Sequence, residues 1–225
     1  MGKSTRPAAL HEIPSYDTMP VGGTMKILMT SGVPMAIHRQ PIGRDGRPCP
    51  RRICFTFDNV FRKLFHNPRK ILGPYVSPGW TVLDLGPGIG YFTIPLAERV
   101  GARGLVIAAD VQQPMLDGLS RRAERRGVAE RIRLHLCSPA CVGVADPVDF
   151  ILMFWMLHEV RDQDRLFREL LGILKPAGRV LVVEPRLHVT AERFERSLIA
   201  ADSAGFAVAD RPRVALSRAA VLTIG

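Results

Sequence analysis

Short apolar runs alternate along the chain with segments whose apolar residues return every three or four positions. Thr81 to Leu85 is short, largely apolar and closed by glycine, the pattern of a strand buried on both faces. Tyr91 to Val100 then carries Phe92, Ile94, Leu96, Ala97 and Val100 at helical spacing and stops at Gly101, with Pro95 tolerable only near the first turn. Gly104 to Asp110 is a second strand, and the helix after it starts at Pro114, carries Met115, Leu116, Leu119 and Ala123, and ends at Gly127. Ile132 to Leu136 is a third strand, and the unbroken apolar run Phe150 to Leu157 a fourth, too short to span a bilayer. From Gln163, the residues Leu166, Phe167, Leu170, Leu171 and Leu174 share one helical face that Lys175-Pro176-Ala177-Gly178 interrupts. Arg179 to Val183 is a fifth strand, Ala191 to Ala204 a helix, and Phe206 to Ala209 and Ala219 to Ile224 a closing strand pair. Strands alternating with helices predict a mostly parallel sheet covered on both faces, with an antiparallel edge. No internal repeat is visible.

The loop after the first strand carries the first chemical signal. In VLDLGPGIGYF, Val82 to Phe92, the glycines fall at 86, 88 and 90, a G-x-G-x-G spacing rather than the G-x-G-x-x-G that cradles a dinucleotide pyrophosphate. Asp84, two residues upstream, would repel a diphosphate and attract an ammonium or a sulfonium. The second strand also ends in a carboxylate, Asp110, about twenty residues beyond the glycines, where an acid can accept both ribose hydroxyls of a nucleoside. Its structural alternative is a helix cap.

With these residues the chain resembles the class I S-adenosylmethionine-dependent methyltransferases over about residues 57–225. The resemblance rests on VLDLGPGIGYF, VIAADVQQPML (106–116), VDFILMFWMLHEV (148–160) and ILKPAGRVLVVEP (173–185), in that order. Within the class it is most similar to the group holding the ubiquinone/menaquinone C-methyltransferases and many small-molecule methyltransferases. The resemblance implies an α/β, Rossmann-like fold: a mostly parallel seven-stranded sheet with an antiparallel edge strand and helices on both faces. It implies S-adenosyl-L-methionine as cofactor, bound through Asp84, Gly86, Pro87, Gly88, Gly90, Asp110, Val111, Met115, Ser138 and Phe154. Many relatives place an acid after the third strand, against the adenine amino group. This chain reads Leu136-Cys137-Ser138-Pro139 there, and Ser138 offers a hydroxyl instead.

In open parallel sheets ligands bind beyond the carboxyl ends of the strands, so Tyr91, Asp110, Phe154 to Glu159, and Glu184 with Arg186 and His188 are expected to converge. His158 and Glu159, leaving the most apolar strand, are the first candidates for chemistry. Methyl transfer needs an in-line approach and a nucleophile losing its proton, so a placed histidine can act as base. Tyr91 is the third catalytic candidate. A cap or a loop-ordering role is the alternative for His158.

Composition sets the frame. The chain has 225 residues, 47% hydrophobic, enough for one substantial core. Residues 80–225 are expected to form the methyltransferase domain, 51–79 a helical cap, and 1–50 a basic, Pro- and Gly-rich leader, partly disordered. In the cap, Asp58 can start one helix, carrying Val60, Phe61, Leu64 and Phe65, and Asn67-Pro68 another. Residues 1–79 hold 12 Lys and Arg against 4 Asp and Glu, so most of the net charge of +10 lies at the front. Such a leader can contact nucleic acid, but a solvated tail is the commoner reading, and Tyr16 alone before Phe55 makes no base-stacking platform. The acceptor expected is therefore a small molecule, with nucleic acid not favoured and no membrane insertion. Met1 to Pro20 lacks the apolar region of an export signal, so the expected location is cytoplasmic. The cysteines, at 49, 54, 137 and 141, match no zinc spacing and are expected to be reduced thiols; no metal is expected. The thiols are similar to those of arsenite methyltransferases, but Cys49 and Cys54 do not by themselves make that site. An NAD-dependent oxidoreductase is opposed by the glycine spacing and Asp84, and a catalytically silent binding domain is the remaining alternative.

Overall fold

A computed structural model of the chain describes residues 65–138 and 140–225. The expectations for the leader, for most of the helix from Asp58, and for Cys49 and Cys54 fall outside those residues. The described chain opens with α1 (Pro68–Leu72), started as expected by Asn67, whose side chain accepts the Lys70 N–H. There follow β1 (Thr81–Leu85), α2 (Thr93–Val100), β2 (Leu105–Asp110), α3 (Gln113–Arg125), β3 (Ile132–Leu136), β4 (Val148–Phe154), α4 (Gln163–Ile173), β5 (Leu174–Pro185), α5 (Ala191–Ser203), β6 (Phe206–Asp210) and β7 (Ser217–Ile224). The sheet has seven strands in the order β3-β2-β1-β4-β5-β7-β6. β1 to β5 pair in parallel, and β7 runs antiparallel to both β5 and β6, so the reversed strand sits one place in from the edge.

The central strands are largely apolar because both of their faces are covered. Val82, Val106, Ala108, Phe150, Leu152 and Leu181 point to the side of α1, α2 and α3. Leu83, Leu85, Ile107, Ile151, Met153 and Val182 point to the side of α4 and α5. Burying a side chain of this size stabilises the fold by about 1.5–3 kcal/mol, so the shared stripes outweigh weak local preferences. Pro95 falls in the first turn of α2, where its missing N–H leaves no helical bond unmade.

The largest departures from the sequence pattern are at two boundaries. β4 ends at Phe154 rather than Leu157, because Trp155 takes a positive φ of 59° and turns the chain out of the sheet. β5 begins at Leu174, opposite Val148, and the register then shifts so that Arg179 lies opposite Phe150; Lys175 to Gly178 form the irregularity. At this amino end of the sheet the Lys175 ammonium donates to both oxygens of Asp149 at 2.8 Å, and the same carboxylate accepts the Thr81 N–H. The charges there are satisfied locally.

Candidate active site

The strand order reverses between β1 and β4, and the glycine loop stands at that point. Gly86, Gly88 and Gly90 all have positive φ. Their surroundings differ. A Cβ on Gly90 would come within 2.2 Å of the Leu119 side chain on α3, and one on Gly86 within 2.9 Å of Met156, just beyond β4. One on Gly88 would meet nothing within 4 Å. Gly86 and Gly90 thus close the loop onto its neighbours, and Gly88 keeps open space over it. Pro87 is buried between them. Asp84 lies beneath the loop at 2% exposure and accepts the Thr93 hydroxyl at 2.7 Å.

Asp110, at the end of β2, is 8% exposed, and its carboxylate accepts the Gln112 N–H at 2.9 Å. Burial raises its pKa, against the lowering effect of the N–H groups of Gln112, Gly88 and Val111. The carboxylate therefore ties the open glycine to the turn before α3, and it is not a cap of that helix. Val111 is 55% exposed beside it, and Met115 is half-buried one turn into α3. After β3, the Ser138 hydroxyl accepts the Ala140 N–H at 3.3 Å and faces the Cys141 carbonyl. Cys137 is buried, its thiol pushed up to about 11 by burial and by neighbouring acids, and Cys141 donates to Glu169. Both are free thiols, and neither is poised as a thiolate.

Beyond β4, Leu157–Glu159 form a single 3-10 turn over the end of β5. Glu184, 1% exposed, accepts the Leu157 N–H on Oε1 and the His158 N–H on Oε2, and its Oε2 lies 2.7 Å from His158 Nδ1. Burial works against a charged imidazole, but the hydrogen bond to Glu184, its charge and that of Glu159 outweigh it and raise the His158 pKa. An ionised carboxylate only accepts, so Nδ1 carries the proton of the neutral ring and Nε2 keeps its lone pair. The His188 ring lies 6.3 Å from that of His158.

Residues 82–178 match the family model of a methyltransferase domain. A solved S-adenosylmethionine-dependent methyltransferase from Aquifex aeolicus superposes with a TM-score of 0.69 at 26% identity, over 80% of this chain and all of that one. The described residues have the fold of the class I S-adenosylmethionine-dependent methyltransferases. The ubiquinone/menaquinone biosynthesis C-methyltransferases UbiE of Idiomarina loihiensis and Xylella fastidiosa resemble this domain at 34% and 35% identity, over 48% and 53% of this chain and 44% and 47% of theirs. The chain spans about half the length of the curated relatives it matches.

The methyltransferase domain fits its cofactor on its own geometry: Gly88 leaves room for close backbone approach, and Asp110 presents a buried carboxylate beside it. The sequence reading missed Thr93, Met156 and Leu119, which fix the loop from three other segments. Thr93 had a signal, a hydroxyl on the first residue of the helix after the loop; the other two are long-range contacts. Tyr91 and Phe154 hold the domain together. The Tyr91 hydroxyl donates to the His66 carbonyl at 2.7 Å, and Phe154, 3% exposed, packs on Phe92 at 4.2 Å between ring centroids. Glu159 is exposed at the end of the 3-10 turn.

Proposed function

We propose that the domain methylates a small-molecule acceptor in the cleft at the carboxyl ends of β1, β2, β4 and β5. Asp110 and the backbone around Gly88 hold S-adenosylmethionine, with Asp84 buried below and Val111, Met115 and Ser138 at the nucleoside side. Bound there, the cofactor supplies an electrophilic methyl group. His158 accepts the acceptor's proton on Nε2, while Glu184 holds the ring from the other side. The observation that carries this reading is the 2.7 Å contact of His158 Nδ1 with a buried carboxylate, which leaves the second ring nitrogen as a base at the strand switch. The resemblance to the UbiE enzymes favours an acceptor of the quinol type and transfer to carbon.

The test is a screen of quinols, phenols, thiols, amines and RNA with methyl-labelled cofactor, followed by His158→Ala on the acceptor found. Affinity for S-adenosylhomocysteine should stay within a few-fold while methyl transfer slows by roughly 100- to 10,000-fold, the usual range for a lost general base. A normal turnover rate in the folded variant would remove His158 from the chemistry, and turnover on RNA alone would replace the small-molecule reading.

A further inference from the structure

Among the described residues only Trp155 and Leu216 are non-glycine residues with positive φ, at 59° and 55°. Large side chains adopt that conformation only where their surroundings hold them in it, and such strain gathers at sites of function. Both residues meet at Ser217, the first residue of β7, which is 2% exposed. The Trp155 indole donates to the Ser217 hydroxyl at 3.0 Å, and Leu216 is its chain neighbour. The third residue on this hub is Arg186, just past the end of β5. Its N–H donates to the Leu216 carbonyl at 3.0 Å and its Nε to the Ser217 carbonyl at 2.9 Å.

That geometry matters for recognition. With Nε held by a carbonyl, the guanidinium keeps its two terminal nitrogens side by side, the arrangement that binds a carboxylate through two parallel hydrogen bonds. No carboxylate of the described residues forms an ion pair with Arg186, nor with Arg193 or Arg218, which bond the carbonyls of His158 and Val189. The nearby acids are otherwise engaged: Glu184 is taken by His158, and Glu192 lies within reach of Arg218 and Arg196. Glu159 is exposed on the 3-10 turn. Arg186, Arg193 and Arg218 on the rim beyond β4 and β5 thus have no ion-pair partner among the described residues, and three such guanidiniums beside the exposed Glu159 leave an excess of positive charge that draws in anions.

We infer that Arg186, set by Ser217 beside Trp155, binds a carboxylate on the methyl acceptor and so selects acidic acceptors. The inference rests on the methyltransferase reading for where the acceptor enters. Its test uses the full chain, with and without S-adenosylhomocysteine, titrated calorimetrically with 4-hydroxybenzoate and with 4-hydroxybenzamide, which match in shape and differ in charge. The acid should bind at least tenfold more tightly. Arg186→Gln should abolish that preference, and Arg186→Lys should keep only part of it, because a point charge cannot make the paired bonds. Arg211→Gln, whose guanidinium pairs with Glu195, should leave the preference unchanged. Melting curves check that each variant is folded, and if Arg186→Gln is not, the lysine variant decides alone. Equal binding of the two probes, no binding of either at millimolar concentration, or a preference that survives loss of Arg186 overturns the inference. Failure of S-adenosylhomocysteine itself to bind would instead overturn the cofactor assignment, which the same titrations detect separately.

Discussion

Asp110 and His158 make opposite uses of burial. Asp110 is a carboxylate kept from water but surrounded by N–H donors, ready to take hydroxyl hydrogen bonds without reorganising. Two hydrogen bonds to a charged group contribute about 1.5–3 kcal/mol each, so Asp110→Ala should weaken S-adenosylmethionine binding at least tenfold, and by about a hundredfold or more if both are lost. Calorimetry on the folded variant checks it. On the proposed reading His158 is a base, strengthened by its contact with Glu184. Because its folded pKa lies above the unfolded value of about 6.5, the ion pair with Glu184 stabilises the fold fully below that pH and loses its effect as pH rises through the folded pKa. The base is active only when neutral, so over that same window the transfer rate should rise while the melting temperature falls. Both trends should vanish in His158→Ala, and a pH series of rate and melting on the two proteins measures them. Tyr91 shows the limit of reading single residues: its place after the glycines suggested chemistry, but its hydroxyl is spent on the carbonyl of His66, 25 residues earlier in the chain.

In the glycine loop, three residues of one type do two kinds of work. Gly90→Ala adds a clash with Leu119 to an unfavourable φ of 84°, and should destabilise the protein by about 2–4 kcal/mol in urea unfolding. Gly88→Ala has open space and only the φ penalty, about 1–2 kcal/mol, yet should lose more cofactor affinity than its stability loss suggests, because the new methyl occupies the approach to the backbone. The elements themselves were legible. β1, β2 and the Val180–Val183 stretch of β5 are largely apolar because they are covered on both sides, and Asn67-Pro68 and Gly127 mark a helix start and stop in their own chemistry. What escaped the sequence was contact between distant segments: Met156 against Gly86, Leu119 against Gly90, Glu184 under the turn of His158. The end of β4 escaped as well. Trp155 has no local reason to leave the strand, and its conformation is set by the partner it finds at Ser217, 62 residues on.

For the molecule as a whole, removing residues 1–50 is expected to leave cofactor affinity within a few-fold and the melting temperature within a few degrees. Those residues show no apolar periodicity with which to join the core. A truncated chain that aggregates or no longer binds S-adenosylhomocysteine would make the leader part of the domain. Within the described sheet, strand order also sorts the site. With neighbouring strands ~4.8 Å apart, the ends of β2 and β5 lie roughly 14 Å from each other. Ser138, Asp110 and the glycines stand on the β3-β2-β1 side, and Trp155, His158, Glu184, Arg186 and Ser217 on the β4-β5-β7 side. The two groups abut where Gly86 leaves no room between the loop and Met156. On the proposed reading the β4-β5-β7 side takes the acceptor, and it can be rewritten by changing the turns after β5 and before β7 and the part of the turn after β4 that lies beyond Met156, leaving the glycine loop as it is. A library confined to residues 157–160, 186–190 and 212–216 should yield proteins that bind S-adenosylhomocysteine as the parent does while differing in what they methylate.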